Sequence, residues 1–208
     1  PTEEMRRAMG TAEVGDDVFG EDPSINRLEE MAARMLGKEA SLFTPSGTMS
    51  NLIAVLAHTR PGNEVLVGSE SHMLLNEVGG ASALGGVVMH TVPNDEDGLI
   101  DLDVMEAAIR PPNIHYPPTT LLCIENTHNR CGGAVLTPEY TSGMAAVAHR
   151  HGLSVHLDGA RIFNAAVALG VSAGDLARDA DSVCLCVSKG LSAPVGSLLC
   201  GRREFVEQ

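Results

Sequence analysis

Six polar residues each follow an apolar run. Lys189 comes after the segment Asp181–Val187, and Asp158 and Arg161 come after Leu153–Leu157. Glu125 and His128 come after Thr120–Ile124, and His72 after Glu64–Val67. An amine carried to the end of a core segment is a candidate for chemistry. Desolvation favours its neutral form, and a neutral amine forms a Schiff base with a carbonyl compound. The ordinary reading is a lysine whose stem packs while its ammonium reaches water. A different signal lies in Ser46-Gly47-Thr48, placed before the apolar stretch Leu52, Ile53, Val55 and Leu56. A helix beginning there offers free backbone N–H groups and the positive end of its dipole, which suits an anion such as phosphate. Plain capping by Ser46 or Thr48 is the competing reading. For each histidine the competing reading is an imidazole satisfied by nearby backbone.

The elements that must position these residues follow from periodicity. Residues 1–22 read mostly as an acidic, glycine-punctuated loop. Asp22-Pro23-Ser24 is a helix start, and Ile25, Leu28, Met31, Ala32, Met35 and Leu36 recur at helical spacing until Gly37. Further on, strands are expected at Glu64–Val67, Val87–Val92, Thr120–Ile124, Leu153–Leu157 and Asp181–Val187, with Leu198–Cys200 a further apolar segment. Helices are expected at Met73–Val78, after Asp101, over Tyr140–His151 and from Arg161 to Leu169. Alternating strands and helices predict an α/β fold, a three-layer sandwich with a mostly parallel sheet. In such sheets ligands bind beyond the carboxyl ends of the strands, so the six polar residues should gather on one rim.

Composition narrows the partners. Lys and Arg number 14 against 27 Asp and Glu, giving 14 − 27 = −13, and no basic patch for a nucleic acid is visible. The five cysteines have no CxxC spacing, and the three flanking Lys189 read as small core residues. Free thiols suggest a reducing compartment, and a cytoplasmic location is expected. No apolar run approaches the length of a membrane span. The chain starts at Pro1 and ends in a helix start, so truncation at both ends is expected of this single 1–208 domain.

An amine, a carboxylate, an anion site and imidazoles on one rim suit pyridoxal phosphate. Lys189 would bond to its aldehyde, Asp158 would pair with the ring nitrogen, and Ser46-Gly47-Thr48 would hold the phosphate. No metal ligand set is assigned. Five segments then occur in one order: Gly15-Asp16-Asp17-Val18-Phe19-Gly20-Glu21-Asp22-Pro23, Pro45-Ser46-Gly47-Thr48-Met49-Ser50-Asn51, Glu125-Asn126-Thr127-His128-Asn129, His156-Leu157-Asp158-Gly159-Ala160-Arg161 and Ser188-Lys189-Gly190-Leu191. Together they closely resemble the low-specificity L-threonine aldolases, pyridoxal-phosphate enzymes of the aspartate-aminotransferase fold.

The resemblance implies retro-aldol cleavage of L-threonine or L-allo-threonine to glycine and acetaldehyde. It makes Lys189 the Schiff-base lysine and Asp158 the ring-nitrogen partner. Arg161 would sit beside the ring hydroxyl and substrate, and Gly47 and Thr48 in the phosphate loop. His72 would stack on the ring, His128 would lie near the substrate hydroxyl, and Glu77 would be close to the site. It further implies a homodimer or homotetramer, a stretch upstream of Pro1, and a smaller C-terminal domain beyond Gln208 that supplies an arginine for the substrate carboxylate. Weak activity of residues 1–208 alone is the corresponding expectation. The alternatives are another reaction on the same fold, either β-elimination or transamination, and a non-catalytic binding domain.

Overall fold

A computed structural model describes all 208 residues. In chain order the elements are α1 (Glu3–Thr11), α2 (Pro23–Leu36), β1 (Ala40–Thr44), α3 (Gly47–His58), β2 (Glu64–Gly68), α4 (His72–Leu75), α5 (Gly80–Gly85), β3 (Val88–Val92) and α6 (Leu102–Ala108). These are followed by β4 (Thr119–Glu125), α7 (Pro138–Arg150), β5 (Ser154–Asp158), α8 (Ile162–Leu169), α9 (Ala173–Ala177), β6 (Ser182–Cys186), β7 (Ser197–Gly201) and α10 (Arg203–Val206). The seven strands form one sheet in the order β1-β7-β6-β5-β4-β2-β3. β2 pairs in parallel with β3 and β4, and β4–β5 and β5–β6 are also parallel. β7 runs antiparallel to both β1 and β6. The sheet is therefore mostly parallel, as the sequence predicts.

Helices cover both faces because the central strands are apolar on both sides, the pattern of a buried parallel sheet. Successive side chains of one strand enter different cores. Leu66, Leu122 and Ile124 join the larger cluster with Leu36 of α2, Met144 of α7 and Ile162 of α8. Their neighbours Val65, Val67, Leu121 and Cys123 join a second cluster with Val55 of α3. α10 closes the same side through Phe205, which packs with Ala54 and Leu199.

Three local expectations are corrected. Residues 1–22 are not mostly loop. Thr2 accepts from Met5 N at 3.2 Å as an N-cap, Glu3 and Glu4 occupy the first turn, and α1 forms, followed by a 3₁₀ turn over Asp17–Phe19. The helix expected over Met73–Val78 ends at Leu75, because Val78 and Gly79 adopt left-handed φ angles of 57° and 65°. A short helix, α9, also interrupts the connection between α8 and β6, built on a Ser172–Asp175 capping box. The start and stop of α2 agree with the sequence reading. Asp22 Oδ1 accepts from Ser24 N and Ile25 N, both at 2.9 Å, and Gly37 ends the helix at φ 65°.

Candidate active site

The carboxyl ends of β2, β4, β5 and β6 share one rim, and the N-terminus of α3 rises beside them. A cavity of about 330 Å³ opens there, lined among others by Gly47, Thr48, Asn51, His72, Glu77, Asp158, Cys186 and Lys189. Sequence reasoning anticipated Ser46, Gly47, Thr48, His72, Asp158 and Lys189, and all six line it.

α3 supplies an anion site. Ser46 caps it by accepting from Met49 N at 3.2 Å, so capping and an anion site coexist. The N–H groups of Gly47 and Thr48, in the first turn, have no partner within the helix. Gly47 also lies against Cys186: a Cβ added at Gly47 would stand 2.8 Å from Cys186 Sγ. The glycine therefore leaves a cradle that a side chain would fill. Cys186 Sγ accepts from Ser197 Oγ at 3.1 Å. The hydrogen bond from Cys184, then Ser197 and the Lys189 charge, pull the Cys186 thiol down to about 6 despite burial.

Lys189 is one of two lysines in the chain. The other, Lys38, points elsewhere and donates to the Ala180 carbonyl at 2.6 Å. Lys189 sits where β6 gives way to the connection to β7. That connection is pinned at its base, since Val187 N and Ser188 N both donate to Gly196 O, at 3.1 and 3.3 Å.

Facing the lysine is a pair of carboxylates. Asp158 ends β5 and is 3% exposed. Its Oδ1 accepts from Ala160 N at 3.1 Å and its Oδ2 from Asn51 Nδ2 at 2.9 Å. The same Asn51 amide donates to Glu77 Oε1 at 2.8 Å, and His72 Nδ1 lies 3.0 Å from that oxygen. Burial pushes the Glu77 carboxyl up, and the Asp158 charge adds to this against the hydrogen bonds from Asn51 and His72. The ligand-type atoms of His72, Glu77 and Asp158 lie within 4.8 Å of one another. The bridging amide accounts for this closeness without an ion.

Three anticipated rim residues stand outside the cavity lining. His128 is 1% exposed and neither ring nitrogen has a hydrogen-bond partner. Its backbone bridges to Ala134, and its ring fills the space left by Gly98, where a Cβ would be 2.7 Å from the imidazole. His128 therefore does not line this cavity. Arg161 is half-buried and donates from Nη1 to Asn129 Oδ1 at 3.0 Å. Glu125 ties two loops together, accepting from His72 N at 2.7 Å and Asn129 N at 2.9 Å. Sequence reasoning gave no role to Asn51 or Cys186. Asn51 does carry a visible signal, an amide side chain directly before the apolar run Leu52–Ala57 of the same helix.

Together the sheet, its rim cavity, the amine, the carboxylate and the anion cradle define a cofactor-binding α/β domain whose donor set fits pyridoxal phosphate. The chain belongs to the beta-eliminating lyase family, whose pattern it matches over residues 1–208. This family is pyridoxal-phosphate dependent. The chain is 53% identical over 211 residues to low-specificity L-threonine aldolase 1 of Arabidopsis thaliana, covering 100% of this chain and 59% of that protein. It is 44% identical over 208 residues to the low specificity L-threonine aldolase of Escherichia coli strain K12, covering 100% of this chain and 62% of the relative. Among solved structures, the threonine aldolase of Leishmania major superposes with a TM-score of 0.81 at 25% identity, over 98% of this chain and 59% of that one. The chain therefore spans roughly three fifths of the length of these relatives. None of its helices is long and apolar enough to cross a membrane.

Proposed function

We propose that this chain is the cofactor-binding part of a pyridoxal-phosphate aldehyde-lyase that cleaves L-threonine or L-allo-threonine to glycine and acetaldehyde. The observation that carries the reading is the convergence of Lys189, Asp158, His72, Gly47 and Thr48 on one cavity. The names of the relatives support the substrate class.

Bound there, pyridoxal phosphate supplies an acceptor for the electron pair left on the substrate Cα when the Cα–Cβ bond breaks. Lys189 would supply the amine that holds the cofactor through its carbonyl carbon. The Gly47 and Thr48 N–H groups and the α3 dipole would hold the phosphate. Asp158, fixed through both oxygens, would pair with the ring nitrogen. His72, oriented by Glu77 at 3.0 Å, would contact the ring and take the β-hydroxyl proton. Arg161, the N-cap of α8 three residues after Asp158, would stand beside the ring hydroxyl and the substrate. Self-association as a homodimer or homotetramer in the cytoplasm belongs to the same proposal. It is supported by the exposed apolar side chains Val14, Val18 and Phe19, and light scattering tests it.

The deciding experiment is product analysis with L-threonine. Retro-aldol cleavage gives glycine and acetaldehyde, whereas elimination gives 2-oxobutyrate and ammonia. Borohydride reduction and peptide mapping, run beside it, should place the pyridoxyl group on Lys189. Ammonia without glycine, or label on Lys38, would reject the reading.

A further inference from the structure

Behind the cavity a single file of polar side chains runs between α3 and one face of the sheet, from Asn51 over His156 of β5 and Ser182 of β6 back to His58. Asn51 Oδ1 faces His156 Nε2 at 3.1 Å, and His156 Nδ1 faces Ser182 Oγ at 2.8 Å. Ser182 Oγ in turn faces His58 Nε2 at 2.8 Å. The His58 ring is stacked on Phe205, with centroids 4.5 Å apart and planes at 20°. Asn51, His156 and Ser182 are at most 1% exposed. None of His58, His156 or Ser182 lines the cavity.

Counting hydrogens settles the direction of every bond. Asn51 has two N–H hydrogens, one spent on Glu77 and one on Asp158. Its carbonyl oxygen can only accept, so His156 donates from Nε2. A neutral imidazole with Nε2–H must accept at Nδ1, so Ser182 gives its one hydrogen to His156. The Ser182 oxygen is then left to accept from His58 Nε2–H. Burial supports neutral rings throughout. It is the main cause pushing His156 down to about 3 and His58 down to about 4. Turned over, the Asn51 amide would aim its carbonyl oxygen at the oxygens of Asp158 and Glu77 and lose both of these hydrogen bonds, which favours the orientation given.

We propose that His156 is a positioning residue. Relayed from His58 through Ser182, it locks the Asn51 amide so that both its N–H groups hold Asp158 and Glu77 for the cofactor ring and His72. The proposal rests on the role assigned to Asp158 above. An amide in this place fixes the carboxylate's plane; at metal sites, partners that orient a ligand in this way are worth about 10- to 100-fold in affinity or activity.

The test begins with the apo-protein, carrying ¹⁵N-labelled histidine, and long-range ¹H–¹⁵N spectra. His156 and His58 should both be neutral Nε2–H tautomers between pH 6 and 8. Ser182→Ala removes the hydroxyl from the middle of the file and touches nothing in the cavity, and it should leave His156 with mixed tautomers. In the holoenzyme, Ser182→Ala should lower kcat by about 3- to 10-fold with KM within about twofold. Asn51→Asp keeps the shape and the acceptor but loses both donors. It should lower kcat about 10- to 100-fold and weaken pyridoxal phosphate binding to the apo-protein. A merely structural file would lower the Tm of Ser182→Ala and leave kcat, KM and cofactor affinity unchanged, and that result overturns the proposal. So does an Nδ1–H tautomer at His156 in the wild type. Should Ser182→Ala not fold, Asn51→Asp decides: unchanged kcat and cofactor affinity would overturn the proposal. The spectra decide the polarity of the file even if Lys189 proves to hold no cofactor.

Discussion

Lowering the pH from 7 to 5 should destabilise this protein through two buried histidines. The His156 ring is fully buried, and His58 is largely so. Against an ordinary value of 6.5, burial lowers His156 to about 3 and His58 to about 4. For His58 the nearby Asp181 charge opposes the shift, and Arg202 adds to it. The unfolded chain binds protons at these two sites as pH falls below 6.5 and the folded chain does not. Stability is therefore complete above about pH 6.5 and declines as pH falls towards the folded values. At pH 5 each unfolded histidine gains about 1.9 kcal/mol from protonation relative to pH 7. Allowing for the partial exposure of His58, the pair removes about 3 kcal/mol. This is a large share of a typical stability of about 5–15 kcal/mol. Urea unfolding followed by far-ultraviolet circular dichroism at half-unit pH steps measures the slope. Carboxyls raised by burial, such as Glu77 and Glu29, work in the opposite direction. Comparing wild type with His156→Gln cancels their contribution, because the variant lacks only one of the two histidines. The slope near pH 5.5 should fall by about half in the variant. Equal slopes in wild type and variant would refute the reasoning.

Gly47→Ala should lower Tm and weaken pyridoxal phosphate binding, since its methyl meets Cys186 Sγ at 2.8 Å. Overpacking of this kind costs about 1–3 kcal/mol, and adding Cys186→Ala should restore most of the Tm. Asp158→Asn should fold normally yet cripple turnover, because an amide presents no charge to a protonated ring nitrogen; unchanged kcat would reject the pairing. His72→Ala should reduce kcat/KM for threonine by about 10²–10⁴-fold. His128→Ala, emptying a site that is 1% exposed, should chiefly lower Tm, so a large loss of kcat at unchanged Tm would show that the imidazole reaches substrate.

The sheet was legible because its central strands are short apolar runs separated by helical periodicity, and β2, β4, β5 and β6 fall within a few residues of their expected places. The rim followed from strand direction alone, which is why Lys189, Asp158, His72 and Gly47 converge as anticipated. Where the chain turns after a strand was not legible. His128 directly follows a core strand, as Lys189 does, but its backbone folds back to Ala134 and takes the ring away from the cavity. Likewise Asn51, His156 and Ser182 lie far apart in sequence; the pairing of β5 with β6 sets His156 beside Ser182, and the packing of α3 on the sheet brings Asn51 to His156. A histidine in the middle of the run Val155-His156-Leu157 was, with Asn51 before its apolar run, a local sign that a buried polar partner must exist.

β1 has consequences for how the molecule is made. Its only partner is β7, with Ala40 opposite Gly201 and Thr44 opposite Ser197. Of these seven strands, a chain synthesised from its N-terminus produces β1 first and its partner last. Until Ser197–Gly201 has emerged, the strand that leads into the Gly47 turn has no ladder to hold it. Within this sheet the phosphate cradle is therefore completed only once β7 is in place, although its residues are made long before. Cofactor binding through this cradle would then follow the closing of the sheet rather than guide it.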